Sequence, residues 1–532
     1  MDKLERHQGH FYNWYDTQTL KPLHPIYIST VDSGNLAGHL LTLQPGLTGM
    51  FDQPVLGPQI IDGMLATVRV LEETLNDAAA SGTPAVSASV ATAAGADGVA
   101  PSIAGQGAES IATPPDLAPL LALLAAKPDP THLQQLNGWL VLAAQAAEAL
   151  HAQVEPQSDA AMWSASLVRQ SNAALDELAL LTPWVNLSAD TVFDTSMTRV
   201  PTLRELASLS HASAGIPVTD LAPAERERQQ QLAQLLEQGS AAAHERMRVL
   251  AELAQRSCGF AQMEYGFLYN ETTNLLAIGY NVSERRLDAS YYDLLASEVR
   301  LASFIAIAQG QLPQDHWFAL GRQLCIVGGK PVLLSWSGSM FEYLMPLLVM
   351  PTYESTLLDQ TYNSVIDAQI AYGKQHNVPW GISESGYNTT DANLNYQYRA
   401  FGVPGLGLKR GLGDDLVIAP YATMMGLMVQ PEASCLNLQK MAGLGFMGRY
   451  GFYEAIDYTA SRVPRGQSCA VVRSFMVHHQ GMGLLSLSYL LHDRPMQRRF
   501  ESDPLLQSTL LCLLYTSPSP RDLSTSRMPS SA

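Results

Sequence analysis

Val378-Pro379-Trp380-Gly381-Ile382-Ser383-Glu384-Ser385-Gly386-Tyr387-Asn388 follows a helical pattern that runs from about Glu354 to His376. Strand alternation is scarce here and along the chain, so the stretch reads as a loop that closes a helix. One carboxylate, Glu384, lies between two serines, is bracketed by Gly381 and Gly386, and has Trp380 and Tyr387 on either side. Glycines let the backbone turn and approach a ligand. Aromatic faces with a polar rim suit a sugar ring, and serine hydroxyls can fix a carboxylate. Taken alone, the segment is equally a turn whose glutamate is merely solvated.

Working outward, helices of about ten to twenty residues alternate with polar loops that carry glycines and aromatics. Helical patterns are read near Leu117–Ala126, His132–Val154, Ala160–Thr182 and Thr202–Ser210, and from Pro223 into Gln255. Phe267–Asn270 and Leu275–Asn281 read as a short hairpin around Thr272-Thr273-Asn274. This rhythm predicts a closed ring of helical hairpins, with its chemistry in the loops at one end. The run of Ala, Ser, Thr, Gly and Val over residues 77–115 cannot bury enough apolar surface to order itself and is expected to be a flexible insertion.

A helix is predicted over Tyr291–Ile307, with Leu294, Leu301 and Ile305 on one face and Glu298 within that stripe. A carboxylate on an apolar face is costly unless paired or set in a polar cavity, and Arg300 projects elsewhere. Glu298 is therefore a candidate, the alternative being a partner arginine distant in sequence. His10-Phe11-Tyr12-Asn13-Trp14-Tyr15-Asp16 reads either as a sugar-contacting surface or as aromatics packed into the core. Ser29-Thr30-Val31-Asp32-Ser33-Gly34-Asn35 reads as a loop that caps a helix beginning at Leu36.

Composition narrows the class. The 532 residues are 47% hydrophobic and 15% charged, ample material for an extended core. A net charge of −17 disfavours nucleic acid or an anionic membrane as partner. Five widely spaced cysteines without a CxxC are expected to be buried free thiols in a reducing compartment. Met1–His7 is polar and carries no signal-peptide pattern. The apolar run Pro331–Met350 contains Glu342 with several Ser and Gly residues, and reads as buried core rather than a membrane span.

Gly402-Val403-Pro404-Gly405-Leu406-Gly407 lacks the strand–turn–helix context of a nucleotide loop. His478-His479 lacks metal-ligand spacing, so neither metal nor cofactor is expected. No serine sits in a nucleophile elbow. Buried-looking glutamates, aromatics and polar loops are the equipment of glycoside chemistry, in which two carboxylates flank the scissile bond.

Five stretches together carry a resemblance: Phe11–Asp16, Ser29–Ala37, Trp336-Ser337-Gly338-Ser339-Met340-Phe341-Glu342-Tyr343, Pro379–Ser385 and Val477-His478-His479-Gln480-Gly481-Met482. In this order they resemble the central, glucoamylase-like domain of cyclic β-1,2-glucan synthases, from about residue 5 to 510. The resemblance implies an all-α (α/α)6 barrel with short β-hairpins in its loops, here a single domain over residues 1–511. It implies a retaining transglycosylation that closes linear β-1,2-glucan into rings, with Glu384 as nucleophile, Glu298 as general acid/base and Glu342 as a third, positioning candidate. Trp14, Tyr15, Asp16, Asp32, Trp336, Trp380, Tyr387 and His479 are the implied substrate-binding residues.

In that family a membrane-embedded module precedes the domain and a phosphorylase-like one follows. The chain is thus expected to be a soluble fragment of an inner-membrane enzyme, held on the cytoplasmic side. A plain endo-β-1,2-glucanase and a non-catalytic glucan-holding module are the alternatives. Residues 512–532 depart from the family pattern and are expected to be a non-native, disordered tail.

Overall fold

A computed structural model describes residues 1–81, 117–187, 195–212 and 222–515. They are predominantly helical, with two- and three-stranded sheets set between the helices, the class expected from the sequence. No described helix is long and apolar enough to cross a membrane. The chain divides into two compact units, one of Leu47–Glu252 and one of Met1–Gly46 with Leu253–Ala532.

The 47–252 unit is built from the helices Gln59–Ser81, Ala118–Ala125, Leu133–His151, Asp159–Leu181 and Leu203–Ala212 with most of Pro223–Ala261. Its core holds Trp139, Leu140, Leu167, Leu178 and Trp184. Ser158 starts the 159–181 helix by accepting from the Ala161 N–H at 3.0 Å, satisfying one of the first-turn donors. The expected insertion begins later than predicted, because residues 77–81 finish a helix; residues 82–116 lie outside the described part.

The other unit carries two apolar clusters. One surrounds the helix Val299–Ala308, every residue of which is buried, Arg300 and Ser303 included. The other gathers the helices Met340–Leu344, Leu357–Gln375 and Pro420–Gly426 around Trp380. The expected hairpin forms, with Tyr269–Asn270 paired to Leu275–Ala277.

Three local expectations are corrected. The helix Thr30–Gly49 starts five residues before Asn35: Ser29 Oγ accepts from the Asp32 N–H at 3.3 Å and supplies the cap. Ser385–Thr390 is a strand paired with Tyr396–Arg399, where a loop was expected. The cysteines are free, but Cys435 and Cys512 are exposed and the other three half-buried, not buried. At the far end Leu511–Tyr515 form a π-helical turn, with Leu513 in the core; residues 516–532 lie outside the described part.

Candidate functional site

Glu384 stands where a rigidly pinned segment meets a strand. The Gln369 side chain brackets Ile382, donating to its carbonyl and accepting from its N–H, both at 2.8 Å. Thr423 Oγ1 and Asn437 Nδ2 each donate to the Trp380 carbonyl at 2.8 Å. Ser383 Oγ accepts from the Phe341 N–H at 3.0 Å, and the Tyr421 hydroxyl reaches both that oxygen and the Glu384 carbonyl at 2.8 Å. Every one of these polar groups is buried and paired, so the backbone that presents Glu384 has little freedom. Burial first, then the charges of Glu342 and Asp32, push the Glu384 carboxyl up to about 7, against a hydrogen bond from Tyr398 that favours the carboxylate.

Glu298 does not sit mid-helix, which corrects the predicted Tyr291–Ile307 helix. Tyr291–Tyr292 pair as a strand with Leu276 and Ala277, and the helix begins at Val299. Glu298 is its cap position. Two β-favouring tyrosines beside a strand with a free edge outweighed the helical spacing. Burial and the nearby charges of Glu384, Asp32 and Glu342 hold the Glu298 carboxyl well above the usual carboxylate range. Arg300 is no partner: its guanidinium lies over Tyr362 at 5.6 Å.

Asp32 reaches the same place from the first turn of the 30–49 helix. A Cβ on Gly34 would come within 2.1 Å of Ala302 Cβ, so only glycine allows the two helices to pack this closely. That contact holds Asp32 beside the head of the 299–308 helix. Asn13 Nδ2 donates to its carboxylate at 3.3 Å.

Glu342 is the most heavily bonded of the four. It closes a capping box with Ser339 and accepts from Ser335 Oγ at 2.9 Å, Ser337 Oγ at 2.5 Å and the Ser337 N–H at 3.0 Å. The serines that the sequence places beside it are its donors, and the Gly402–Gly407 run explains their fixed position. A Cβ on Gly402 would fall 1.7 Å from the Ser337 carbonyl, so this loop lies directly on the Ser335–Gly338 turn.

The remaining expected residues divide. Trp14 and Trp336 are about half exposed and offer open indole faces; Trp336 Nε1 donates to Asp293 at 2.8 Å. Asp16 caps a turn by accepting from the Gln18 and Thr19 N–H groups. Tyr15 ties the N-terminal loop, its hydroxyl donating to the Glu5 carbonyl at 2.6 Å.

Trp380 is a core residue with 6% of its surface exposed, so its expected role as a sugar contact is corrected: its indole fills the space over Gly426. Tyr387 is flanked by the guanidinium groups of Arg399 and Arg462 at 5.3 and 5.0 Å. His479 is buried, stacked on Tyr421 with centroids 3.6 Å apart, and its Nδ1 stands 3.0 Å from both Glu454 oxygens. The sequence reading missed Tyr292, Tyr398, Tyr421 and Glu454. No local pattern marks them, because each earns its place from partners on other elements.

Residues 290–504 match the family model described as "Glycoamylase: Putative glucoamylase". Across 98% of its length the chain is 35% identical to the cyclic beta-(1,2)-glucan synthase NdvB of Rhizobium meliloti (strain 1021), and it spans 16% of that protein's length. Among solved structures it aligns with the complex of a mutant endo-beta-1,2-glucanase from Talaromyces funiculosus with beta-1,2-glucan, at 17% identity and a TM-score of 0.39 over 72% of this chain and 78% of that one. It also aligns with a beta-1,2-glucanase from Parabacteroides distasonis, at 12% identity and a TM-score of 0.36 over 72% and 54%. The resemblance first carried by the motifs therefore holds: this chain is similar to one segment of a cyclic β-(1,2)-glucan synthase, and residues 290–504 match the glucoamylase family model.

Proposed function

We propose that this chain is a glycoside-hydrolase-type transglycosylase that closes linear β-1,2-glucan into rings, on a fold in which the helical hairpins complete an (α/α)6 barrel. The observation that carries the reading is that Glu384, Glu342 and Asp32 lie near enough to Glu298 for their charges to act on it, with two of the four held above the usual carboxylate range. Neighbouring carboxyls whose environments separate their proton affinities are how an acid and a nucleophile are assigned. Glu298, held well above the usual carboxylate range by burial and its carboxylate neighbours, keeps its proton and acts as the acid. Glu384, given a hydrogen bond that favours its charged form, ionises first and attacks.

In the first half-reaction a Glu384 oxygen bonds to the anomeric carbon, the glycosidic C–O bond breaks, and the departing oxygen takes the Glu298 proton. In the second, the glucan's own non-reducing 2-hydroxyl attacks that carbon. It returns its proton to Glu298 while the ester to Glu384 breaks. Tethering raises the local concentration of that hydroxyl, so it competes with water. The exposed indoles of Trp14 and Trp336 are suited to hold sugar rings.

The test is incubation of the chain with linear β-1,2-glucan and mass spectrometry of the products. Products one water lighter than their linear counterparts support cyclisation. Shortened linear products would make it a glucanase, and bound but unchanged glucan a holding module. The parent enzyme is proposed to be membrane-bound through another module, with this part facing the cytoplasm. Protease access to this segment in inverted vesicles but not in intact spheroplasts would support that side, and the reverse pattern would overturn it.

A further inference from the structure

Trp336 leaves 46% of its surface exposed, and its open indole is suited to a sugar ring. Its backbone is fixed on both sides. The Trp336 carbonyl accepts the Lys409 N–H at 2.8 Å. Beside it Ser335 donates its N–H to the Leu406 carbonyl and accepts from the Leu408 N–H, each at 3.1 Å. The Ser337 N–H donates to Glu342 at 3.0 Å. Among the described residues the Trp336 side chain makes one hydrogen bond, from Nε1 to Asp293 Oδ1 at 2.8 Å.

Asp293 is held by its backbone, which leaves its carboxylate to the indole. Its carbonyl accepts the Gly321 N–H at 2.6 Å, and the Leu295 N–H donates to the Gly321 carbonyl at 3.0 Å. A Cβ on Gly321 would stand 3.0 Å from the Asp293 carbonyl, so the two segments pass closely. Asp293 lies between the strand Tyr291–Tyr292 and the buried run 294–297 that leads to Glu298. The bond therefore joins the segment that presents Glu298 to the turn that holds Glu342. Both segments are already pinned by backbone bonds, and a hydrogen bond open to water adds little net stability. What it removes is rotation. An untethered exposed indole samples several rotamers, and holding one of them reduces the entropy lost when a ligand binds.

We propose that Asp293 is a positioning residue whose carboxylate fixes the exposed Trp336 indole as a platform for one glucosyl ring of the substrate. This rests on the reading of the site as one for β-1,2-glucan. Asp293 acts here through an oxygen that accepts the indole N–H, a task any side-chain carbonyl at the same place can perform. An amide is therefore a working substitute, and a methyl is not.

The test measures the affinity of the whole chain for linear β-1,2-glucan by calorimetry, with Glu384→Gln present throughout to stop turnover. Asp293→Ala is expected to weaken binding about three- to tenfold and to leave the melting midpoint nearly unchanged. Asp293→Asn restores the affinity. Trp336→Phe keeps an aromatic face but has no N–H, so adding Asp293→Ala to it weakens binding no further. Unchanged affinity in Asp293→Ala, no rescue by Asp293→Asn, or additive losses in the double variant would each overturn the proposal. A parent chain that leaves the glucan unchanged, beside the expected pattern of affinities, would remove the transglycosylase reading and keep the platform. Glucan that no variant binds would overturn the substrate and the platform together.

Discussion

Glu384 and Glu298 differ in what surrounds their carboxyl oxygens, and that difference makes pH the first variable to measure. Glu384 is pushed up to about 7, and burial, then the charges of Glu384, Asp32 and Glu342, hold Glu298 well above the usual carboxylate range. If attack needs Glu384 ionised, kcat/KM rises with pH through an acidic limb near 7. On the proposed roles, removing either carboxylate is expected to lower turnover without disturbing the fold: Glu298→Gln by about 100- to 10,000-fold, Glu384→Gln by about 1,000-fold or more.

Stability runs the other way. A carboxyl with a raised pKa in the folded state binds its proton there while the unfolded chain has already released it, so stability falls as pH rises through the window from 4.5 to about 7. The Gln variants lack this loss. Relative to the parent, Glu384→Gln is therefore more stable at pH 8 than at pH 4, by at most about 3 kcal/mol, and denaturant melts at the two pH values check it. Identical differences at both would remove the case for a shifted Glu384. At this scale the sequence marked Glu384 as a candidate through its flanking serines, glycines and aromatics, and left a turn with a solvated glutamate equally open. It was silent on Tyr398, Tyr421 and Glu454, because a tyrosine or glutamate acquires a role only from groups dozens of residues away.

Among the elements, the Ser335–Leu344 turn and helix shows how one carboxylate can serve structure. Glu342 spends its oxygens on three serines and the capping box, so Glu342→Gln is expected to lower the melting temperature as well as activity. That joint loss separates it from the two residues above. Ser339→Ala removes the cap together with one of the three serine donors to Glu342 and is expected to cost about 1 kcal/mol.

Gly402→Ala is more severe. Its methyl would overlap the Ser337 carbonyl, and overpacking of this kind costs about 1–3 kcal/mol or more. Thermal unfolding of the purified variant reads this directly, and an unchanged midpoint would mean that the two loops separate freely. In the 47–252 unit the helices Ala118–Ala125, Leu133–His151, Asp159–Leu181, Leu203–Ala212 and most of Pro223–Ala261 were legible from apolar periodicity, since long amphipathic segments impose their own pattern. Gln59–Ser81 was not read as a helix from the sequence. The start of the 299–308 helix was not. Leu294 keeps helical spacing with Leu301, yet it is buried in a loop whose neighbour, Leu295, donates its N–H to the Gly321 carbonyl at 3.0 Å. Burial alone mimics periodicity over so short a span.

Across the whole molecule, every carboxylate of the candidate site belongs to the unit made of residues 1–46 and 253–532, with none in residues 47–252. A core change in the second unit should therefore act on stability alone. Leu140→Ala, fully buried there, is expected to cost about 2–5 kcal/mol and to leave the acidic limb of the pH profile where it was. A moved limb would show that the two units share the site's electrostatics.

What the sequence determined by itself was the helical class, the hairpin at Asn270–Leu275 and the motifs around Glu384, Glu342 and His479. These are local properties, carried by spacing and by neighbours within a few residues. The tertiary structure alone decided which aromatics stay open, Trp14 and Trp336, and which is core, Trp380. It also set Glu298 at the head of a helix and turned His479 inward to Glu454. The reason is physical: exposure and charge state depend on what packs against a side chain, and those partners come from segments far apart in the chain.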